Sequence, residues 1–156
     1  MPDWIWRSFP ELTADELYDI FALRQTVFVV EQNCAYLDAD GWDRRSRHLY
    51  TRDASGLVIA YLRLVEPGVK YEEPSIGRVI THPGVRRTGV GRALMAEGIR
   101  GASEYYPGAA IRIGAQSWAE GFYRSLGFER AGQEYLEDYI PHVEMLRQYS
   151  STENEQ

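Results

Sequence analysis

Cysteine, positive charge and long apolar runs are all in short supply in this chain, and each shortage closes off a class of function. Cys34 is the single cysteine among 156 residues, so no intrachain disulfide can form and a reducing, cytoplasmic setting is expected. No apolar run approaches the roughly 20 residues of a membrane helix. The opening Met1-Pro2-Asp3-Trp4 lacks the basic start and apolar centre of a secretory signal. Basic residues are outnumbered too: a net charge of −6 leaves little positive surface to neutralise a polynucleotide. Neither nucleic acid nor membrane is therefore expected as a partner. The loops G-x-x-x-x-G-K-[ST] and G-x-G-x-x-G are also missing, which disfavours P-loop and dinucleotide folds.

What stands out instead is one turn rich in glycine and arginine. Arg86-Arg87-Thr88-Gly89-Val90-Gly91-Arg92 follows an apolar stretch, Ile76 to Thr81, that reads as a strand. It leads into Ala93-Leu94-Met95, which reads as helix. Such a turn points backbone N–H groups one way, and the helix dipole adds about half a positive charge. Gly89 and Gly91 let the chain bend and let a ligand approach with no Cβ in the way. Three arginines crowding one turn of an acidic chain suit a small anion, a phosphate above all. Taken alone, R-x-x-G-x-G is equally compatible with an ordinary tight turn.

With 44% hydrophobic residues, the chain is long enough for one domain, expected over residues 1–149. A polar tail, Ser150 to Gln156, reads as frayed. Alternation over Trp4–Phe9 predicts a first strand. Thr13-Ala14-Asp15-Glu16 is a capping box opening a helix with Leu17, Ile20, Phe21, Leu23 and Phe28 on its buried side. Residues 33–47 read as a long loop carrying Asp38, Asp40 and Asp43.

Strands are expected near His48–Arg52, Leu57–Val65, Ile76–Thr81 and Ala110–Gln116, and a helix from about Val90 to Tyr105. Gly98 and Gly101 should weaken that helix by about 1 kcal/mol each, so packing must hold it. Ser117-Trp118-Ala119-Glu120 reads as a second capping box, for a short helix ending at Gly127. Final strands fall near Glu129–Glu134 and Val143–Tyr149. The order β-α-β-β-β-α-β-α-β-β predicts a mixed α/β (α+β) fold, a mostly antiparallel sheet with helices on both faces.

With that order in hand, the chain resembles the GNAT superfamily of N-acetyltransferases. The family signature Q/R-x-x-G-x-G/A, between the fourth strand and a helix, reads here as Arg86-Arg87-Thr88-Gly89-Val90-Gly91. The second signature reads Gln116 on a strand, Tyr123 seven positions later, then Leu126-Gly127-Phe128. Across nearly its whole length the chain is similar to the ElaA-type branch, through Leu23 to Cys34, Tyr36-Leu37-Asp38-Ala39-Asp40, Ile76-Gly77-Arg78-Val79 and Glu137 to His142. Where that branch usually has glycine, this chain has Tyr139.

The resemblance implies acetyl-CoA as co-substrate, held where two parallel strands, ending at Thr81 and Gln116, splay apart. Backbone groups of Val79, Ile80 and Thr81 would pair with the pantetheine arm, and N–H groups from Arg87 through Arg92 with the pyrophosphate. Arg86 or Arg87 would reach a further phosphate. An amine would attack the thioester directly, with a strand N–H near Ile80 or Thr81 as oxyanion donor. Tyr123 is the expected general acid toward the departing thiolate. The base stays open among Glu31, His48, Glu137 and His142, with Glu31 alternatively a partner of Arg24. His82 reads as shaping its turn, and Cys34 as a small buried residue.

The aromatics Trp4, Trp6, Trp118 and Tyr139 read as core. Tyr36 and Trp42, beside Asp38, Asp40 and Asp43, read as a pocket friendly to cations. The D-x-D-G-W-D run lacks a full calcium loop, so no metal is expected. The acceptor would be a small-molecule or peptide amine, and relatives suggest a possible homodimer. Two other readings remain: an acyl-homoserine-lactone-synthase-like acyltransferase, and a CoA-binding sensor without turnover.

Overall fold

The computed structural model describes residues 2–150 of the chain. Seven strands form one sheet: β1 (Ile5–Ser8), β2 (Ser46–Arg52), β3 (Val58–Val65), β4 (Ser75–Thr81), β5 (Ile111–Gln116), β6 (Glu129–Glu137) and β7 (Ile140–Arg147). Their order across the sheet is β1-β2-β3-β4-β5-β7-β6. Every neighbouring pair is antiparallel except β4 and β5. Helices α1 (Ala14–Arg24), α2 (Val90–Tyr105) and α3 (Glu120–Ser125) complete the fold. Of the expected tail, all but Ser150 lies outside the described residues.

Period-2 patterning of β3 explains how helices come to cover both faces. Ala60, Leu62 and Leu64 point to one side and pack with Leu94, Met95 and Ile99 of α2. Tyr61 points to the other and packs with Ile20, Leu23, Val27 and Phe28. Close packing also explains the weak helix formers in α2. A Cβ on Gly101 would fall 2.2 Å from Cζ2 of Trp6, so the indole occupies the space a side chain would need.

Thr13 caps α1 as expected, its hydroxyl accepting from the Glu16 N–H while the Glu16 carboxylate accepts from Thr13 N–H. The helix does not stay α to Phe28: Gln25–Glu31 widen into a π-helical turn. Four β-branched residues (Thr26, Val27, Val29, Val30) fall in that stretch and crowd a normal turn. The loop after it is shorter than expected, since a 3₁₀ turn at Asp43–Arg45 feeds β2 from Ser46. The second capping box does not form. Ser117 donates to the Glu134 carboxylate instead, and Glu120 is held by Arg124 and Arg130. Two of the aromatics assigned to the core, Trp118 and Tyr139, are 81% and 97% exposed, because they sit at a strand end and a hairpin tip. Cys34 is buried.

The feature that makes a site is the β4/β5 pair. These parallel strands meet at one register position, Ser75 with Arg112, and then part. Each stays paired on its outer side, β4 with β3 and β5 with β7.

Candidate active site

Between the parting strands lies a cleft of about 590 Å³. Val79, Ile80 and Thr81 line it from β4, Gln116 from β5 and Tyr123 from α3. The glycine turn closes one end. Gly89 opens α2 at φ 88°, in the left-handed region that glycine occupies freely. The N–H groups of Val90, Gly91 and Arg92 begin the helix without an intrahelical acceptor, and among the described residues no side chain caps them. Gly91 faces the cleft itself.

The three arginines of the turn differ in their engagements. Arg86 forms a two-pronged ion pair with Glu31, at 2.8 and 2.6 Å. Arg92 donates to the Ser125 hydroxyl at 2.9 Å, at the end of α3. Arg87 is exposed, with φ 67°. Thr88 donates its hydroxyl to the Val85 carbonyl, and His82 shapes the preceding turn by accepting from Gly84 N–H at 3.0 Å. Glu31 is thus the partner of Arg86 and not of Arg24.

Tyr123 is wedged edge-on between Phe122 and Phe128. Among the described residues nothing hydrogen-bonds its hydroxyl. Burial alone pushes its pKa up to about 12, so it stays a proton donor across the whole working pH range.

His142 and Glu137 come together in the cleft, His142 Nε2 lying 3.4 Å from a Glu137 oxygen. His142 Nδ1 sits 2.7 Å from the Ile140 carbonyl oxygen. A carbonyl only accepts, so Nδ1 carries a proton, and in the neutral ring the lone pair is on Nε2. His48 does not belong here. It is buried away from the cleft, its Nε2–H donating to the Asp43 carbonyl and its Nδ1 accepting from the Tyr61 hydroxyl. Burial lowers its pKa, and with both nitrogens occupied it has no room for a substrate proton.

The other end of the cleft holds what the sequence pattern did not reveal. The three loop aspartates do not await a cation. Arg24, fully buried, reaches Asp38 and Asp43, each at 2.7 Å. Arg63 reaches Asp40 at 2.6 Å and Asp43 at 3.0 Å, and Arg78 lies 3.1 Å from Asp38. Burial alone would raise the Asp40 pKa, but the Arg63 guanidinium outweighs it and holds the carboxyl at about 2. The expected cation pocket is therefore already neutralised from within. Tyr36 belongs to the same cluster through Arg78. A signal was there to read: Arg24 interrupts the apolar stripe of α1 and Arg63 the apolar run of β3.

Lys70, on the β3–β4 connection, gave no such signal. It lines the cleft with its ammonium 5.0 Å from the Trp42 ring and 5.4 Å from the Tyr71 ring. Among the described residues it has no ion pair and no hydrogen bond. Burial lowers its pKa, with Glu137 opposing that shift and Arg63 and Arg78 adding to it.

Among the described residues no helix is long and apolar enough to cross a membrane. A family model described as an acetyltransferase (GNAT) domain matches residues 35–148. A UPF0039 protein of Synechocystis is 40% identical over 144 residues, 92% of this chain and 94% of its own. Protein ElaA of Escherichia coli is 37% identical over 150 residues, covering 95% and 97% of the two chains. In three dimensions an acyl-CoA N-acyltransferase from Pseudomonas aeruginosa superposes with a TM-score of 0.89 at 36% identity, covering 94% of this chain and 99% of that one.

Proposed function

The chain belongs to the GNAT acetyltransferase family, and we propose that it transfers an acetyl group from acetyl-CoA to a primary amine by direct attack within a ternary complex. The observation that carries this reading is a shared cleft. Diverging strands, the open start of α2 and an unpartnered tyrosine hydroxyl all border one space. The α2 N–H groups and Gly91 would take the CoA diphosphate, with Arg87 free to reach a phosphate. The unpaired edge of β4 over Val79–Thr81 would take the pantetheine amides, and a strand N–H there the developing oxyanion.

His142 is our choice of base. Its Nε2 accepts the proton of the ammonium, and the Glu137 carboxylate 3.4 Å away pairs with the imidazolium that forms. Tyr123 donates to the leaving thiolate. A thiol near pKa 8.5 and a phenol near 12 differ by about 3.5 units, so full transfer would cost about 5 kcal/mol. Tyr123 therefore acts as a hydrogen-bond donor, with the proton passing fully only where the thiolate is itself desolvated.

The test is thiol release from acetyl-CoA in the presence of a panel of primary amines. Replacing Tyr123 with Phe should lower kcat on the order of 100-fold and leave CoA affinity within about threefold, because the missing hydroxyl acts on the transition state. Unchanged turnover would remove Tyr123 from the mechanism. Tight CoA binding without thiol release from any amine would make the chain a sensor rather than an enzyme.

A further inference from the structure

We propose that the acceptor amine carries a carboxylate and that Lys70 binds it. This rests on the N-acetyltransfer reading above and names its substrate class. The argument starts from the charges that border the cleft. Arg86 is paired with Glu31, Arg63 with Asp40 and Asp43, and Arg78 with Asp38. Arg24, Arg63 and Arg78 against Asp38, Asp40 and Asp43 make a cluster of zero net charge. Lys70 stands outside these pairings, and Arg63 leaves its Nε buried without a hydrogen bond. Both cations border the same indole, with Arg63 Cζ 5.7 Å and Lys70 Nζ 5.0 Å from the Trp42 ring. Two donors and an uncompensated positive charge beside an aromatic wall suit an anion.

The anion is not the CoA diphosphate. Lys70 lies before the first residue of β4, whereas the glycine turn follows the last. Six steps of strand separate Ser75 from Thr81, or about 20 Å. Lys70 therefore serves the acceptor. Among the described residues, Glu137 is the one carboxylate bordering the cleft that is not bound to arginine. It acts on Lys70 only through space, its own contact being His142. An amino acid or a peptide with a nearby carboxylate would bring its acid to Lys70 and its amine to His142 and Glu137. Lysine suits this task as a compact charge with three donors.

The test compares phenylalanine, phenylalaninamide and phenethylamine as acceptors in the thiol-release assay, with the matching glycine and glutamate series beside them. The amide holds the most readily deprotonated amine, so preference for the acid cannot be a basicity effect. In at least one series the acid should show a kcat/KM on the order of 10- to 100-fold higher than its neutral counterparts. Lys70→Met should erase that preference through the acceptor KM while the acetyl-CoA KM stays within about twofold. Lys70→Glu should reverse the preference.

Equal or better use of the neutral amines in every series overturns the assignment. So does a preference that survives in Lys70→Met, or a larger effect on acetyl-CoA than on the acceptor. Thiol release from no amine at all would strike the acetyl-transfer reading instead. The carboxylate site is then judged by calorimetry on CoA-saturated protein, N-acetylphenylalanine against N-phenethylacetamide, where equal affinities overturn it.

Discussion

At one end of β4 the chain leaves backbone donors open, while at the other it neutralises charged side chains against one another. The turn at Gly89–Gly91 has few side chains in play, and its character comes from a left-handed residue and the uncapped start of α2. The far end is built from long side chains reaching between α1, β3, β4 and the loop between α1 and β2. Open backbone is generic and suits a ligand common to a whole family. A side-chain cluster is particular, and Lys70, the cation beside it and outside its pairings, is where the proposed acceptor carboxylate would be distinguished. Under the proposed function, generality and selectivity in this cleft would be carried by different parts of the chain.

Breaking the cluster should produce the largest effect. Arg24 is fully buried between Asp38 and Asp43, with the Phe21 ring 4.4 Å from its guanidinium carbon. Arg24→Met removes the positive charge and leaves two buried carboxylates short of partners, which should cost about 3–5 kcal/mol of folding stability. Denaturant titration of the variant checks this. A loss under about 1 kcal/mol would mean the loop rearranges to reach water, and the far end would not be a fixed arrangement of ion pairs.

The open end responds differently, and Gly91→Ala separates the two. A Cβ at Gly91 would lie 3.7 Å from the nearest Thr81 methyl, an ordinary contact, and alanine is the better helix former. Stability should hold or rise slightly. The same Cβ would project where the diphosphate is proposed to sit, so CoA affinity should fall on the order of tenfold, as expected for a lost hydrogen bond to a charged group. Calorimetry with CoA alongside thermal unfolding reads both quantities. Unchanged affinity would move the diphosphate away from this turn.

The same contrast decides what could be read beforehand. The glycine turn was legible because its physics is local: strand, glycines and helix start are adjacent in sequence. The order of elements along the chain, α2 from Val90 to Tyr105 and the Thr13 cap were legible for the same reason. The cluster was legible only in part: Arg24 and Arg63 break apolar patterns, but they and Arg78 meet their aspartates across 14 to 40 positions, and a loop with three acids looks identical whether or not arginines wait behind it. His48 misled in the same way. Only the fold reveals that Tyr61 and the Asp43 carbonyl already occupy its nitrogens. Lys70 left no trace in any pattern, since a lysine on a connecting loop is usually solvated.

The smallest effect tests whether the acceptor end constrains the hairpin beside it. Asp138 and Tyr139 join β6 to β7 with consecutive positive φ angles of 51° and 65°, the conformation of a type I′ turn that favours glycine at its second position. Tyr139 therefore bears the left-handed strain without an offsetting contact, its ring being 97% exposed. Tyr139→Gly relieves about 1–2 kcal/mol of strain and gives back part of it through the greater freedom of glycine in the unfolded chain. A net gain of about 0.5–1 kcal/mol is expected, or a rise in Tm of about 1–4 °C. The two strands carry Glu137 and His142, so the acceptor KM should stay level if their register, Glu137 opposite Ile140 and Tyr135 opposite His142, is set by the sheet. A stabilised variant with a raised acceptor KM would show instead that the strained tip holds those two residues in place, and that the acceptor end extends beyond its charged cluster into the hairpin.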